Sequence, residues 1–146
     1  MGTYNITDVA RVIKGTTFWT DRKEYVFLKF DRGEYEYLVS ALTGFGDGYV
    51  EIIQDRKELT VIIPKSVWTQ LSLTSKPNDQ VLDIAIITCD AQEPTVTGYL
   101  LEILKYLSPN NISVYVQGAY TTDHIFVHYH DLDKALLMLD TMKKEL

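Results

Sequence analysis

The chain has 146 residues, and 46% of them are apolar, which is enough for a packed core in one domain or two small ones. Twenty acidic residues against fourteen basic ones give a formal charge of −6, the wrong sign for a protein that gains affinity by neutralising phosphates. We therefore expect no nucleic-acid partner.

A single cysteine and the absence of long apolar runs limit the cellular compartments in which we expect the protein. Cys89 has no second cysteine to pair with, which excludes an intramolecular disulfide and a cysteine-only metal cage and is typical of a reducing compartment. No run reaches the length of a membrane span, and residues 1–6 have the pattern of neither a secretory signal nor a myristoylation site. We expect a cytoplasmic protein with no membrane partner.

The first half of the chain predicts short strands and helices separated by glycine, proline and charged turns. Hydrophobic pattern and turn residues delimit each element. In chain order they are an edge strand at Asp8–Ile13, a strand at Tyr25–Phe30, a short helix at Tyr35–Thr43, a hairpin of Tyr49–Ile53 with Leu59–Ile63, and one or two helical turns at Ser66–Leu71.

A polar stretch then predicts a domain boundary, and the second half repeats the order of the first. The predicted linker is Ser72–Asp79, because it is rich in Ser, Thr, Pro, Asn and Asp. After it come a strand at Val81–Thr88 buried on both faces, an amphipathic helix at Gly98–Leu107, strands at Ile112–Val116 and His124–Val127, and a final helix that Asp131 caps.

Strand, helix, strand, strand, helix is the order in both halves, and it is most of a ferredoxin-like βαββαβ unit. We therefore expect an α+β protein of two tandem units with antiparallel sheets, at residues 8–71 and 80–146. A unit of this kind leaves sheet edges and a sheet face open, so two copies usually pair. This predicts a homo-oligomer, most simply a dimer.

Three motifs of the second half carry a family resemblance: Thr97-Gly98 before a helix, Ile112-Ser113-Val114 after it, and Thr122-Asp123 before an apolar strand. Over residues 81–142 the chain resembles the ACT-domain family, and more narrowly small bacterial proteins with two tandem ACT-like units. Their second unit is similar to ACT repeats of cytosolic arginine sensors and of aspartate kinases. The first half resembles them mainly at residues 49–53 and 58–64.

The resemblance implies a non-catalytic regulatory protein that binds an amino acid or similar small metabolite, without a cofactor. In the sequence, Gly98 lets a ligand approach a helix start whose free N–H groups suit a carboxylate, and Asp123 suits an ammonium group. The predicted ligand-binding residues are Val96, Thr97, Gly98, Ala119, Tyr120, Thr122 and Asp123. Each also has a purely structural interpretation as a cap, a packing glycine or a turn residue.

One departure from the arginine-sensor pattern leaves the ligand's identity open. Gly118-Ala119-Tyr120 stands where those repeats have a Ser-Thr-aromatic run, which removes hydroxyl groups from the predicted pocket.

Other chemistries have weaker support. His124, His128 and His130 would point to one face of an unbroken strand and, with Asp131, could suggest a metal site, but no second ligand cluster completes it, so no metal is expected. Asp90 and Glu93 lack a partner nucleophile for acid–base catalysis, and the glycines at 44–48 lack the Lys-Ser/Thr ending of a phosphate loop. The main alternative function is a ligand-free interaction module that holds an unidentified protein partner through its tyrosine-rich surface; a small hydrolase or metal-dependent enzyme ranks third.

Overall fold

The computed structural model describes residues 3–45, 48–71, 76–93 and 95–146. Their Cα positions form two compact units. One, the discontinuous unit, comprises Met1–Thr20 and Ala85–Leu146, and the other, the inserted unit, comprises Asp21–Ile84. Residues 8–20, assigned to the first unit from the sequence, thus cluster with the second half of the chain. Of the predicted linker, residues 72–75 lie outside the described residues.

Five helices and seven strands make up the described chain, with short 3-10 turns before α2, after α4 and before α5. They are α1 (Ile6–Lys14), β1 (Thr17–Trp19), β2 (Tyr25–Phe30), α2 (Tyr35–Leu42), β3 (Glu51–Gln54), β4 (Leu59–Pro64), α3 (Lys65–Gln70), β5 (Asp79–Asp90), α4 (Tyr99–Leu107), β6 (Tyr115–Gly118), β7 (Thr122–His128) and α5 (Leu132–Glu145).

The inserted unit has the ferredoxin-like order β2-α2-β3-β4-α3-β5, with sheet order β3-β4-β2-β5 and antiparallel neighbours. The predicted hairpin is confirmed: Glu51 lies opposite Ile62, and Gln54 opposite Leu59. Alternate residues of β2 and β4 pack against α2 and α3 in one core, formed by Val26, Leu28, Phe30, Leu38, Leu42, Leu59, Val61, Ile63 and Val67. This unit therefore has the predicted fold class and the predicted hairpin, while β5 supplies its fourth strand.

The discontinuous unit reaches the same topology with a strand from the start of the chain. In its sheet, β5 lies between β1 and β7, and β6 pairs with the outer edge of β7. Phe18 of β1 lies opposite Cys89 of β5. Strand β1 occupies the edge position that β5 fills in the inserted unit. The second half of the chain supplies five elements in the order βαββα, and β1 (Thr17–Trp19) is the sixth, which completes the βαββαβ unit. The core joins α1, α4 and α5 to one face of this sheet.

The predicted edge strand at Asp8–Ile13 is wrong, because these residues lie in helix α1. Val9, Val12 and Ile13 are buried with the i, i+3, i+4 spacing of a helical face. Asn5 caps the helix by accepting a hydrogen bond from the Thr7 amide at 2.9 Å. Helical periodicity thus outweighs the β-favouring valines of this segment.

Two further expectations need correction. β5 is exposed from Asp79 to Asp83 and buried from Ile84 to Ile87, so burial on both faces applies only to its middle. Asp131 is the N-cap residue of α5 but its side chain makes no capping hydrogen bond. No described helix combines the length and apolarity needed to cross a membrane.

Candidate functional site

Gly98 is the N-cap residue of α4 and has the left-handed conformation, with φ of 93°. Its carbonyl accepts the Glu102 amide at 3.0 Å, and the Tyr99 amide donates to the carbonyl of Val96 at 3.1 Å. A left-handed φ costs residues with a side chain about 1–2 kcal/mol, so this turn favours glycine. The sequence therefore places the strand-to-helix turn correctly, but the suggestion that Thr97 caps the helix is wrong, since Thr97 precedes the cap.

The ring of Tyr4 covers Gly98. A Cβ atom built on Gly98 would lie 2.1 Å from Cε2 of Tyr4, so only a glycine hydrogen fits between them. The Tyr4 hydroxyl donates to Oε1 of Glu102 at 2.5 Å. The space beside Gly98 that the sequence analysis gave to a ligand thus holds a side chain of the same chain.

Glu102 anchors this contact although its polar side chain sits on a helix that packs against the core. Only 5% of Glu102 is exposed, and Lys105 donates to Oε1 at 2.7 Å. The hydrogen bonds from Lys105 and Tyr4 lower the pKa of Glu102, while the same carboxylate raises the pKa of Tyr4. A charged residue can be buried here because Tyr4, from the N-terminal segment, and Lys105 both donate hydrogen bonds to it.

A cavity of about 290 Å³ lies between α1 and the loop that leads into α4. We call it the Arg11 cavity. The described residues that line it are Thr3, Asp8, Arg11, Glu93, Thr95, Val96 and Thr97. It combines one cationic side chain, two carboxylates and three threonine hydroxyl groups, which is the functionality needed to bind a small charged or zwitterionic molecule.

Arg11 and Glu93 face each other in this cavity as a forked ion pair. Nη1 of Arg11 lies 3.3 Å from Oε1 of Glu93, and Nη2 lies 3.2 Å from Oε2. The hydrogen bonds and charge of Arg11 lower the pKa of Glu93, and Glu93 in turn raises the pKa of Arg11. Both groups are therefore charged at neutral pH, and each is open to solvent over about half of its side chain, at 59% and 52%.

The other four predicted site residues lie in the β6–β7 hairpin. Gly118 pairs with Asp123, and a tight turn between them is closed by the Ala119 amide, which donates to the carbonyl of Thr122 at 2.8 Å. Tyr120 at the tip is 100% exposed, so its ring closes over nothing in this structure. Val96 and Thr97 line the Arg11 cavity, but none of the described residues that line it comes from this hairpin.

Asp123 itself is partly buried, and burial raises the pKa of its carboxyl group, while His124 opposes the rise. Its negative charge also contributes to a raised pKa of the buried Cys89 thiol, to about 12, for which burial is the larger cause. Burial is also the main cause of the raised pKa of Tyr99, to which the charge of Asp123 makes a smaller contribution.

The histidines and Glu93 have structural partners. Nδ1 of His124 lies 3.1 Å from Oγ1 of Thr88, and the rings of His128 and His130 stack at 5.5 Å. Glu93 pairs with Arg11 as described above. Within the described ranges, no group of three or more His, Cys, Asp or Glu side chains is arranged to hold a metal ion.

Sequence reasoning missed Tyr4, Asp8 and Arg11, which form one side of this region. The cause was the strand interpretation of residues 8–13, since a strand offers no reason to bring Arg11 to the loop before α4. The i, i+3, i+4 spacing of Val9, Val12 and Ile13 after Asn5 was the signal that identifies the helix.

Residues 82–140 match the family model of the ACT domain. This range includes the Gly98 turn, the loop side of the Arg11 cavity and the whole β6–β7 hairpin, whereas Tyr4 and Arg11 lie outside it. No curated protein sequence matches the chain significantly.

Solved structures extend the likeness over most of the chain. A Vibrio cholerae protein of unknown function, described as a possible transport protein, is 21% identical with a TM-score of 0.73, over 96% of this chain and 99% of that one. The ligand-free regulatory subunit of aspartate kinase from Thermus thermophilus is 14% identical with a TM-score of 0.66, over 90% and 97%. Clostridium acetobutylicum aspartate kinase is 11% identical with a TM-score of 0.66, over 88% of this chain but 34% of the kinase. At identities this low, the structural likeness establishes the shared fold alone. The ACT-domain match covers residues 82–140.

Proposed function

We propose that this protein is a non-catalytic regulatory protein that binds an amino acid at the start of α4. The observation that carries the proposal is the Arg11 cavity, which lies beside the Gly98 turn and holds side chains of both charges. An amino acid is a zwitterion, so its site needs a cationic partner for the carboxylate and an anionic partner for the ammonium group. The ACT-domain match and the fold shared with a regulatory subunit of aspartate kinase support the regulatory role.

The proposal extends to both units. The inserted and discontinuous units have equivalent strand orders, which supports two ACT-like units in one chain, although their residues differ from the predicted ranges 8–71 and 80–146 because residues 8–20 cluster with the second half. We further propose that the chain forms a homodimer and acts in the cytoplasm. Size-exclusion chromatography with light scattering tests the dimer directly, and a monomer at micromolar concentration would contradict it.

Two carboxylates are candidates for the ligand's ammonium group. The sequence points to Asp123, in the hairpin with Ala119, Tyr120 and Thr122, and the structure adds Glu93 in the Arg11 cavity. Val96, Thr97 and the amides of the first turn of α4 after Tyr99 are the proposed contacts of the carboxylate end, because a helix leaves its first N–H groups without an intrahelical acceptor and the Tyr99 amide already donates to Val96.

A thermal-shift screen of the twenty amino acids tests the proposal. A ligand at about 100 times its dissociation constant stabilises the folded state by about 2.7 kcal/mol. For a chain of this length that free energy raises the melting temperature by roughly 5–10 °C. The N-acetylated and amidated forms of the same amino acid are matched controls, since each lacks one charge, and they should give smaller shifts. A folded protein that none of the twenty stabilises would refute amino-acid binding.

The second candidate is a ligand-free interaction module. Its support is the exposure of large aromatic side chains, with Trp19 at 59% and Tyr115 at 57% in the discontinuous unit. Replacing both with serine should abolish retention of a copurifying protein partner if this candidate is right, and should leave an amino-acid thermal shift intact if the first proposal is right.

A further inference from the structure

We propose that Arg11 and Glu93 are the pair of side chains that binds the two charged ends of the amino acid, Arg11 taking the carboxylate and Glu93 the ammonium group. This inference rests on the proposed function and assigns its specificity to helix α1, which lies outside the ACT-domain match at residues 82–140.

The geometry of the ion pair suits exchange for a ligand. Its two contacts are 3.3 and 3.2 Å long, whereas charge-assisted hydrogen bonds between nitrogen and oxygen are commonly about 2.7–2.9 Å. A long, half-exposed pair of this kind adds little to folding stability. A zwitterion that separates the two side chains replaces one loose ion pair with two, so the internal pair opposes binding only weakly.

The planar guanidinium group also suits the proposed role. Both Nη atoms of Arg11 already point at the two oxygens of one carboxylate, and an α-carboxylate has the same fork. Glu93 supplies the opposite charge on the other side of the cavity. Arg11 is therefore suited to recognise a carboxylate group by its shape as well as by its charge.

The remaining lining residues narrow the class of amino acid. The cavity of about 290 Å³ lies near the lower end of the roughly 300–1,000 Å³ that is usual for ligand sites, so it fits one small molecule. Asp8 is a second carboxylate in the lining, which makes the sum of the three charged side chains −1. A second carboxylate on the ligand would meet Asp8 and be repelled, so the site takes amino acids with neutral or cationic side chains and rejects aspartate and glutamate.

Titration calorimetry with variants tests this assignment. The probe is the amino acid that gives the largest shift in the thermal screen, and the proteins are the wild type, Arg11→Met, Glu93→Gln, Asp123→Asn and Lys14→Met. Loss of a hydrogen bond to a charged group weakens binding by about 10- to 100-fold, which we expect for Arg11→Met and for Glu93→Gln. Lys14→Met removes the same charge from the same helix without touching the Arg11 cavity, so its affinity should stay within about twofold of the wild type.

An analogue separates direct contact from a change in fold. The amidated amino acid lacks the carboxylate, so it should bind the wild type weakly and lose nothing further in Arg11→Met. Asp8→Asn should raise the affinity for glutamate relative to the affinity for a neutral amino acid.

The possible failures are distinguishable. If the wild type binds an amino acid and Arg11→Met binds it equally well, this inference is wrong and the proposed function stands. If Asp123→Asn loses binding while Glu93→Gln keeps it, the ammonium partner is the hairpin carboxylate and the assignment of Glu93 fails. If the wild type binds none of the twenty amino acids, the proposed function fails and this inference fails with it.

Discussion

Alanine at Gly98 is the sharpest perturbation of the turn that begins α4, because two independent costs meet at this residue. The left-handed φ of 93° disfavours any residue with a Cβ atom, and the new methyl group would lie 2.1 Å from the ring of Tyr4. The φ penalty is about 1–2 kcal/mol. Tyr4 is 43% exposed, so its ring can move aside at the loss of its hydrogen bond to Glu102, which is worth about 0.5–1.5 kcal/mol. We expect Gly98→Ala to lower the free energy of unfolding by roughly 1.5–3.5 kcal/mol, the sum of the two.

The two costs separate in a double-mutant cycle with Tyr4→Ala. Without the ring the methyl group has space, so Gly98→Ala in that background should cost only the φ penalty of about 1–2 kcal/mol. Urea denaturation followed by tryptophan fluorescence measures each variant. A Trp68→Phe background leaves Trp19 as the only tryptophan, so the signal reports the discontinuous unit that holds Gly98. A loss below about 0.5 kcal/mol, or the same loss in both backgrounds, would refute the contact between Tyr4 and Gly98.

Four further predictions concern titratable groups. Tyr4→Phe should raise the pKa of Glu102 towards its ordinary value, as carboxyl titration by NMR would show, and an unchanged pKa would contradict the hydrogen bond. Because folding lowers the pKa of Glu102, its charged form stabilises the protein at pH values above about 4.3, the ordinary glutamate pKa, and this stabilisation is lost as the pH falls below that value. Glu102→Gln should therefore reduce the pH dependence of urea unfolding in this acidic range. Cys89, with a buried thiol whose pKa is raised to about 12, should resist iodoacetamide at pH 8 in the native protein and react in guanidinium chloride, whereas rapid native alkylation would show an exposed thiol. Burial lowers the pKa of His124, so the unfolded state takes up its proton first and stability should fall as the pH drops below the ordinary histidine value of about 6.5; His124→Gln should lessen that fall, and an equal fall in both proteins would contradict it.

The ferredoxin-like order was predictable because most of its elements carry local signals. The hairpin of β3 and β4 has a charged turn at Asp55-Arg56-Lys57 and a proline that ends it, and α4 has an apolar stripe ending at Leu107. Such signals depend on residues close in sequence, so one amino-acid sequence is enough to predict these elements.

The closing strand of the discontinuous unit was not predictable in this way. Pairing of Phe18 with Cys89 joins residues far apart in the chain, and a three-residue strand has too little periodicity to reveal itself. The edge strand predicted at Asp8–Ile13 is a helix and completes neither sheet.

The same limit applies to the candidate site. Gly98 was recognisable because glycine before an amphipathic helix indicates a tight turn, whereas its cover by Tyr4 depends on where the N-terminal segment lies. Arg11 and Glu93 are likewise brought together by the packing of α1 beside the loop before α4, and no local pattern links them. Charged pairs between distant segments are therefore the part of this site that the sequence alone does not predict.

A crystal structure of the protein with the amino acid selected by thermal shift would show directly whether Arg11 and Glu93 bind the ligand. We expect density for the ligand in the Arg11 cavity, with its carboxylate about 3 Å from the guanidinium group and the bond between Arg11 and Glu93 opened. Ligand density at another place on the chain, with the Arg11–Glu93 pair intact, would contradict it.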